Sequence, residues 1–153
     1  MHNPVFGQLD PLPAIEHPEL LAPATFRAVQ QYLPEALVAP IDPAVSDTEA
    51  MCARYDVPLG ISANVVLITG KRSGEVRKVA CQVLATHRVD INHFVKQTLD
   101  VRKCSFAPME EAVEASAMAY GGITPVGLPE DWPVWVDGAV ADCEWICLGA
   151  GVR

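Results

Sequence analysis

The chain has no apolar run approaching the ~20 residues that a helix needs to cross a bilayer, so a membrane partner is not expected. Its N-terminus, with His2, Asn3, Pro4 and Asp10, has no basic region followed by an apolar core, so no secretory signal is expected either. There is no Walker-type glycine loop, no dinucleotide fingerprint and no Ser-His-Asp order, and nothing in the sequence asks for a cofactor or a metal. No segment repeats and none is of low complexity. Five cysteines cannot form a complete intrachain disulfide framework, which fits reduced thiols and a cytoplasmic setting. There is no excess of basic charge: the net charge of −8 argues against a general nucleic-acid binder and gives no reason to expect DNA as a partner.

What is present suits one globular domain. At 153 residues, half of them hydrophobic and 20% charged, the chain can bury a core without staples. The charge is uneven. Residues 71–103 hold eight basic side chains (Lys71, Arg72, Arg77, Lys78, Arg88, Lys96, Arg102 and Lys103) against Glu75, Asp90 and Asp100. That segment is +5 and the remainder −13, so an acidic protein carries one face able to meet phosphate, or simply a set of solvated surfaces.

Residues 1–18 are proline-rich and without apolar period, an irregular arm before a domain spanning 19–153. Phe26, Val29, Tyr32 and Leu33 recur at helical spacing until Pro34, and Ala36 to Ile41 suits a short strand limited by Pro40. Ser46 with Glu49 three residues on reads as a capping box for a helix ending near Tyr55. Asn64–Thr69 and Val76–Leu84, joined by Gly70-Lys71-Arg72-Ser73-Gly74, form a hairpin with a charged tip. Asp90 caps a helix with Ile91, Phe94, Val95 and Leu99 on one face; Val101–Phe106 follows as a strand, and Pro108 opens a helix to about Ala119. Val134–Asp137 and Cys143–Leu148 complete the strands. The expected fold is α/β (α+β): a mixed, partly antiparallel sheet of about six strands flanked by helices.

Between the last helix and those final strands lies Tyr120-Gly121-Gly122-Ile123-Thr124-Pro125-Val126-Gly127-Leu128-Pro129. Three glycines and two prolines forbid regular structure, while Ile123, Val126 and Leu128 call for packing. Such a loop either connects a helix to a strand or brings bare main-chain N–H groups close to a ligand. Gly121 to Gly127 resembles the Gly-Gly-Ile/Val-Ser/Thr-Pro-x-Gly signature of the YbaK/prolyl-tRNA synthetase-associated family, whose members deacylate mischarged tRNA. The resemblance extends to Pro108–Ala112 before the loop and to Pro133–Asp137 after it, and covers about residues 36–153.

The resemblance implies a trans-acting aminoacyl-tRNA deacylase that hydrolyses the ester of a mischarged small amino acid. Its partner would be the 3′ end and acceptor stem of an aminoacyl-tRNA. Gly121, Gly122 and Ile123 would offer N–H donors to the carbonyl oxygen as water attacks, and Pro125 would stiffen the segment. Thr124 adds a hydroxyl to substrate or water, or closes its own turn. Asp137 faces substrate or anchors the loop. Lys71, Arg72 and Lys78 are the candidate tRNA contacts. Asn64 matches the second position of the family's Lys-Asn/Thr pair, but Ala63 stands where the lysine belongs, and a methyl group neither donates a proton nor pairs with phosphate. The rival reading is therefore an inactive member that binds tRNA ends, a nucleotide or a protein. Relatives continue past the position of Gly149-Ala150-Gly151-Val152-Arg153, so a short member or a missing tail is expected.

Other groupings carry less. Cys143 and Cys147 on one strand would stand about 13 Å apart, too far to share an ion. His87 and His93 lack a third ligand in sequence. Cys81 and Cys104 suit a core. Trp132, Trp135 and Trp145 either stack on adenine or pack, and packing is the simpler use for the two in strands.

Overall fold

The computed structural model describes residues 3–153. Its centre is a hairpin of two ten-residue strands, β3 (Ala63–Arg72) and β4 (Glu75–Leu84), in register from Ala63 opposite Leu84 to Arg72 opposite Glu75. Val65-Val66-Leu67-Ile68 drives it: β-branched and apolar residues on consecutive positions fill both faces of the pleat. β5 (Lys103–Phe106) adds antiparallel to β3, and β6 (Val134–Val136) adds parallel to β4, giving the order β5-β3-β4-β6. A separate two-stranded sheet pairs β1 (Leu12–Pro13) with β2 (Leu37–Val38).

Strand alternation divides the core. Leu67 and Ala80 face α4 (Met109–Ser116) and the glycine loop, packing with Ala112, Trp132, Val65, Ile123 and Leu128. Ile68, Val79 and Cys81 face the other way, against Val95, Ile91, Leu99 and Trp135. A third cluster, Ala14, Leu21, Val29 and Val38, holds α1 (Pro23–Tyr32) against the small sheet. Burial of Ala14 in it packs the N-terminal segment against the domain, with 3-10 turns at Pro4–Phe6, Ala14–Glu16 and Pro18–Leu20.

The mixed α+β architecture is as the pattern implied; the details differ in four places. Six strands exist among the described residues, but they split into sheets of four and two. α2 (Thr48–Tyr55) is capped by Asp47, whose carboxylate accepts the Ala50 N–H, and not by Ser46. The helix after Asp90 opens with a wide turn, Ile91–Val95, before α3 (Lys96–Leu99). Cys143–Leu148 does not form a strand. α5 (Gly138–Ala141) takes the chain off the sheet just before it, and only one bridge, Ser62 with Cys147, is made.

Candidate functional site

A cleft of about 1240 Å³ runs from the N-terminal segment across the root of the β3–β4 hairpin to the glycine loop. Gly121, Gly122, Ile123, Ala63, Asn64 and Arg153 all line it.

The glycine loop is held by the last residues described. The Gly151 N–H donates to Gly122 O at 2.7 Å, and the Ala119 N–H donates to Gly151 O at 2.9 Å. The approach is so close that a Cβ on Gly122 would stand 2.2 Å from Val152 O, so no other residue fits there. The Gly122 N–H is spent on Ala119 O at 2.9 Å, closing the turn after α4. Gly121 and Ile123 are different: among the described residues their N–H groups make no hydrogen bond. Two of the three candidate donors, on residues that line the cleft, thus have no partner among the described residues, and Gly122 shapes the loop between them.

Thr124 is fully buried, its N–H directed at the Met118 sulfur and its hydroxyl accepting the Val126 N–H at 3.4 Å. Its side chain closes its own turn. Pro125 is half-buried behind the loop and outside the cleft wall. Asp137 is also outside. It precedes α5, where its carbonyl accepts the Val140 and Ala141 N–H groups, and its carboxylate stands 3.5 Å from His87 Nδ1.

At the hairpin root the pleat sends Ala63 and Asn64 to opposite faces. Ala63 is buried against Leu84 and Val140, whereas Asn64 is exposed. The Thr48 hydroxyl donates to Asn64 Oδ1 at 2.6 Å, and the Asn64 Nδ2 hydrogens have no partner among the described residues. Thr48 has no signal in the sequence; its partner lies sixteen residues away on another element.

The candidate tRNA contacts lie at the other end of the hairpin or along its edge, outside the cleft wall. Arg72 pairs with Asp100. Lys78 pairs with Asp131, which it holds below the usual carboxylate range, and sits 5.0 Å over the Trp132 ring. Lys71 is exposed at the tip with no ion pair among the described residues. Arg153, unnoticed in the sequence as a site residue, is the one Lys or Arg among the described residues that lines the cleft.

Cys147 also lines the cleft. Burial, with the nearby Cys52 adding to it, pushes its thiol up to about 11, so it is protonated at neutral pH and a poor nucleophile. Trp145 reaches the cleft wall and packs edge-on against Phe6, while Trp132 and Trp135 pack in the two sheet faces. Among the described residues no three His, Cys, Asp or Glu side chains gather as a metal site.

A mixed sheet with a glycine-rimmed cleft at its hairpin root defines an α+β domain with a candidate ligand site. Comparison with known families makes this specific: the sequence pattern of the aminoacyl-tRNA editing domain matches residues 42–153, and the chain belongs to that family. Among solved structures, a protein described as a candidate trans-editing enzyme for prolyl tRNA synthetase superposes with a TM-score of 0.69 at 18% identity, over 86% of this chain and 83% of that one. A scaffold used for computational epitope grafting gives 0.70 at 14%, with the same coverage. A hypothetical protein gives 0.59 at 22%, over 69% and 67%. At these identities the likeness is one of fold. No curated protein matches significantly.

Proposed function

We propose that this chain is a trans-acting deacylase that hydrolyses the ester between a mischarged small amino acid and the 3′ end of a tRNA. The observation that carries the reading is the pair of unspent N–H groups, Gly121 and Ile123, on the wall of a cleft in an editing-domain fold. As water adds to the ester carbon, the carbonyl oxygen takes on negative charge. Donors already fixed in place stabilise that oxygen more than they stabilise the neutral carbonyl. Asn64, with its amide oriented by Thr48, supplies a further donor towards substrate or water. The leaving group is the ribose oxygen; the neighbouring ribose hydroxyl passes it a proton and takes one from the attacking water, so the products are the free amino acid and an intact terminal ribose. The neutral Cys147 thiol takes no part.

On this reading the exposed tip of the hairpin, Lys71 with Arg72, meets phosphates of the acceptor stem, and Lys78, further along β4, is a further contact. A second reading is kept open by Ala63, whose buried methyl offers no charge to an ester: a member that binds tRNA ends without hydrolysing them. A deacylation screen across all aminoacyl-tRNAs with purified protein separates the two. Proline-accepting tRNA carrying a wrong small amino acid is the first substrate to include, given the neighbour's description. Turnover of one small aminoacyl ester is the expected result. Binding of uncharged tRNA with no turnover on any substrate would establish the second reading.

A further inference from the structure

Arg153 is set apart by its place, as the one Lys or Arg among the described residues that lines the cleft. Arg72, Arg77 and Lys78 are all spent on Asp100, Glu75 or Asp131, away from the cleft. Arg153 has no carboxylate partner among the described residues. Its Nε–H donates to Ser46 Oγ at 3.2 Å and its Nη2 donates to Pro43 O at 3.4 Å. Those two bonds fix the guanidinium plane and leave three of its five N–H groups without a partner among the described residues.

It also lines a recess of about 380 Å³ at the cleft mouth, together with Ser46, Asp47, Met109, Tyr120 and Gly121. Tyr120 is 58% exposed and Met109 54%, so this small recess presents an aromatic ring and a thioether to solvent beside a held cation. Gly121 keeps the parts together. At φ +95° it has a backbone that side chains disfavour, and a Cβ there would meet Ser46 Oγ at 3.2 Å and Arg153 Nε at 3.6 Å. Asp47, the acid in the recess, is engaged in capping α2.

A fixed guanidinium with free hydrogens, next to an exposed ring, suits a nucleotide: phosphate on the cation, base on the ring. We propose that this recess is a nucleotide subsite of the cleft, in which Arg153 takes the phosphodiester on the 5′ side of the terminal adenosine and Tyr120 stacks on the penultimate base. The proposal rests on the aminoacyl-tRNA reading above and names the residues that would recognise the tRNA end next to the ester. It places the positive charge that Ala63 cannot supply on a different element, at the mouth of the same cleft.

Three probes separate the parts: adenosine, adenosine 5′-monophosphate and the dinucleotide cytidylyl-adenosine, each titrated against the purified chain at low salt. The monophosphate should bind about tenfold tighter than adenosine, the scale of one charge-assisted hydrogen-bond pair. The dinucleotide should add roughly fivefold or more through stacking. Arg153→Gln should remove the first step and leave adenosine affinity alone, Arg153→Lys should keep part of it, and Tyr120→Leu should remove the second step only. Raising the salt should shrink the first step in the wild type. If adenosine binds but its monophosphate binds no tighter, or if Arg153→Gln keeps the full step, the subsite is wrong and the deacylase reading stands. If none of the three probes binds, both fall.

Discussion

The two ends of the β3–β4 hairpin teach opposite lessons about the same strands. The tip is where the basic residues are dense, yet Arg72 is tied to Asp100 there and Arg77 bridges to Glu75 and Asp100, with Lys78 paired to Asp131 further along. At the root charge is scarce and commitment is low: among the described residues the Asn64 amide hydrogens and the Gly121 and Ile123 N–H groups make no hydrogen bond. A count of charges along a chain therefore overstates what is available to a ligand, because an exposed pair presents little net field and is screened further by salt. Neutral donors held by the fold are worth more to a developing oxyanion than paired charges on a surface.

The change expected to break the root most completely is Gly122→Val. A Cβ there would stand 2.2 Å from the Val152 carbonyl, a backbone atom that cannot swing aside. The clamp between the glycine loop and residues 149–152 should open, deacylation should vanish, and overpacking should lower stability by about 1–3 kcal/mol in denaturant unfolding. A stable, active Gly122→Val protein would mean the clamp is not needed to shape the loop.

Next in size is Asn64→Ala, which removes a cleft donor without touching the core. If Asn64 faces the reaction, kcat for the aminoacyl ester should fall by about 10²- to 10³-fold with thermal stability unchanged. Thr48→Val should give a smaller loss, about tenfold, because the amide stays but loses its fixed orientation, and Thr48→Ser should recover it. Equal kcat in Asn64→Ala and the wild type would move the chemistry away from the hairpin root.

A smaller effect is expected at the tip. Charge reversal of Lys71 and Arg72 together should weaken tRNA binding and lower the slope of log affinity against log salt by about one to two, with the ester chemistry intact on a minimal aminoacyl substrate. An unchanged slope would take the tip out of the tRNA interface.

The least effect is expected from the thiols. Cys147 and Cys81 both have thiols pushed up to about 11, mainly by burial, so the thiolate is scarce at pH 7.5 and grows only as pH climbs towards that value. Brief alkylation at neutral pH should leave both unlabelled by mass spectrometry and activity unaltered. Rapid labelling of Cys147 with loss of turnover would place a reactive thiol in the cleft.

Much of the scaffold was legible because its signals are local. Val65 to Ile68 announce a strand, Gly70 to Gly74 a turn and Pro108 a helix start, and each depends on residues only a few positions apart. The family pattern was legible for the same reason, as the glycine loop is a contiguous run. Cys143–Leu148 misled because a suitable composition for a strand says nothing about whether a partner strand is in reach.

The sequence alone determined the hairpin, the glycine loop and the missing side chain at Ala63. Only the tertiary structure decided which donors remain free. It spends Gly122 on Ala119 and leaves Gly121 and Ile123, it takes Ser46 from its expected cap and gives it to Arg153, 107 residues away, and it sets Thr48 against Asn64. A hydrogen-bonding group is available to a ligand only when no neighbour has satisfied it, and those neighbours are chosen by packing between segments distant in the chain.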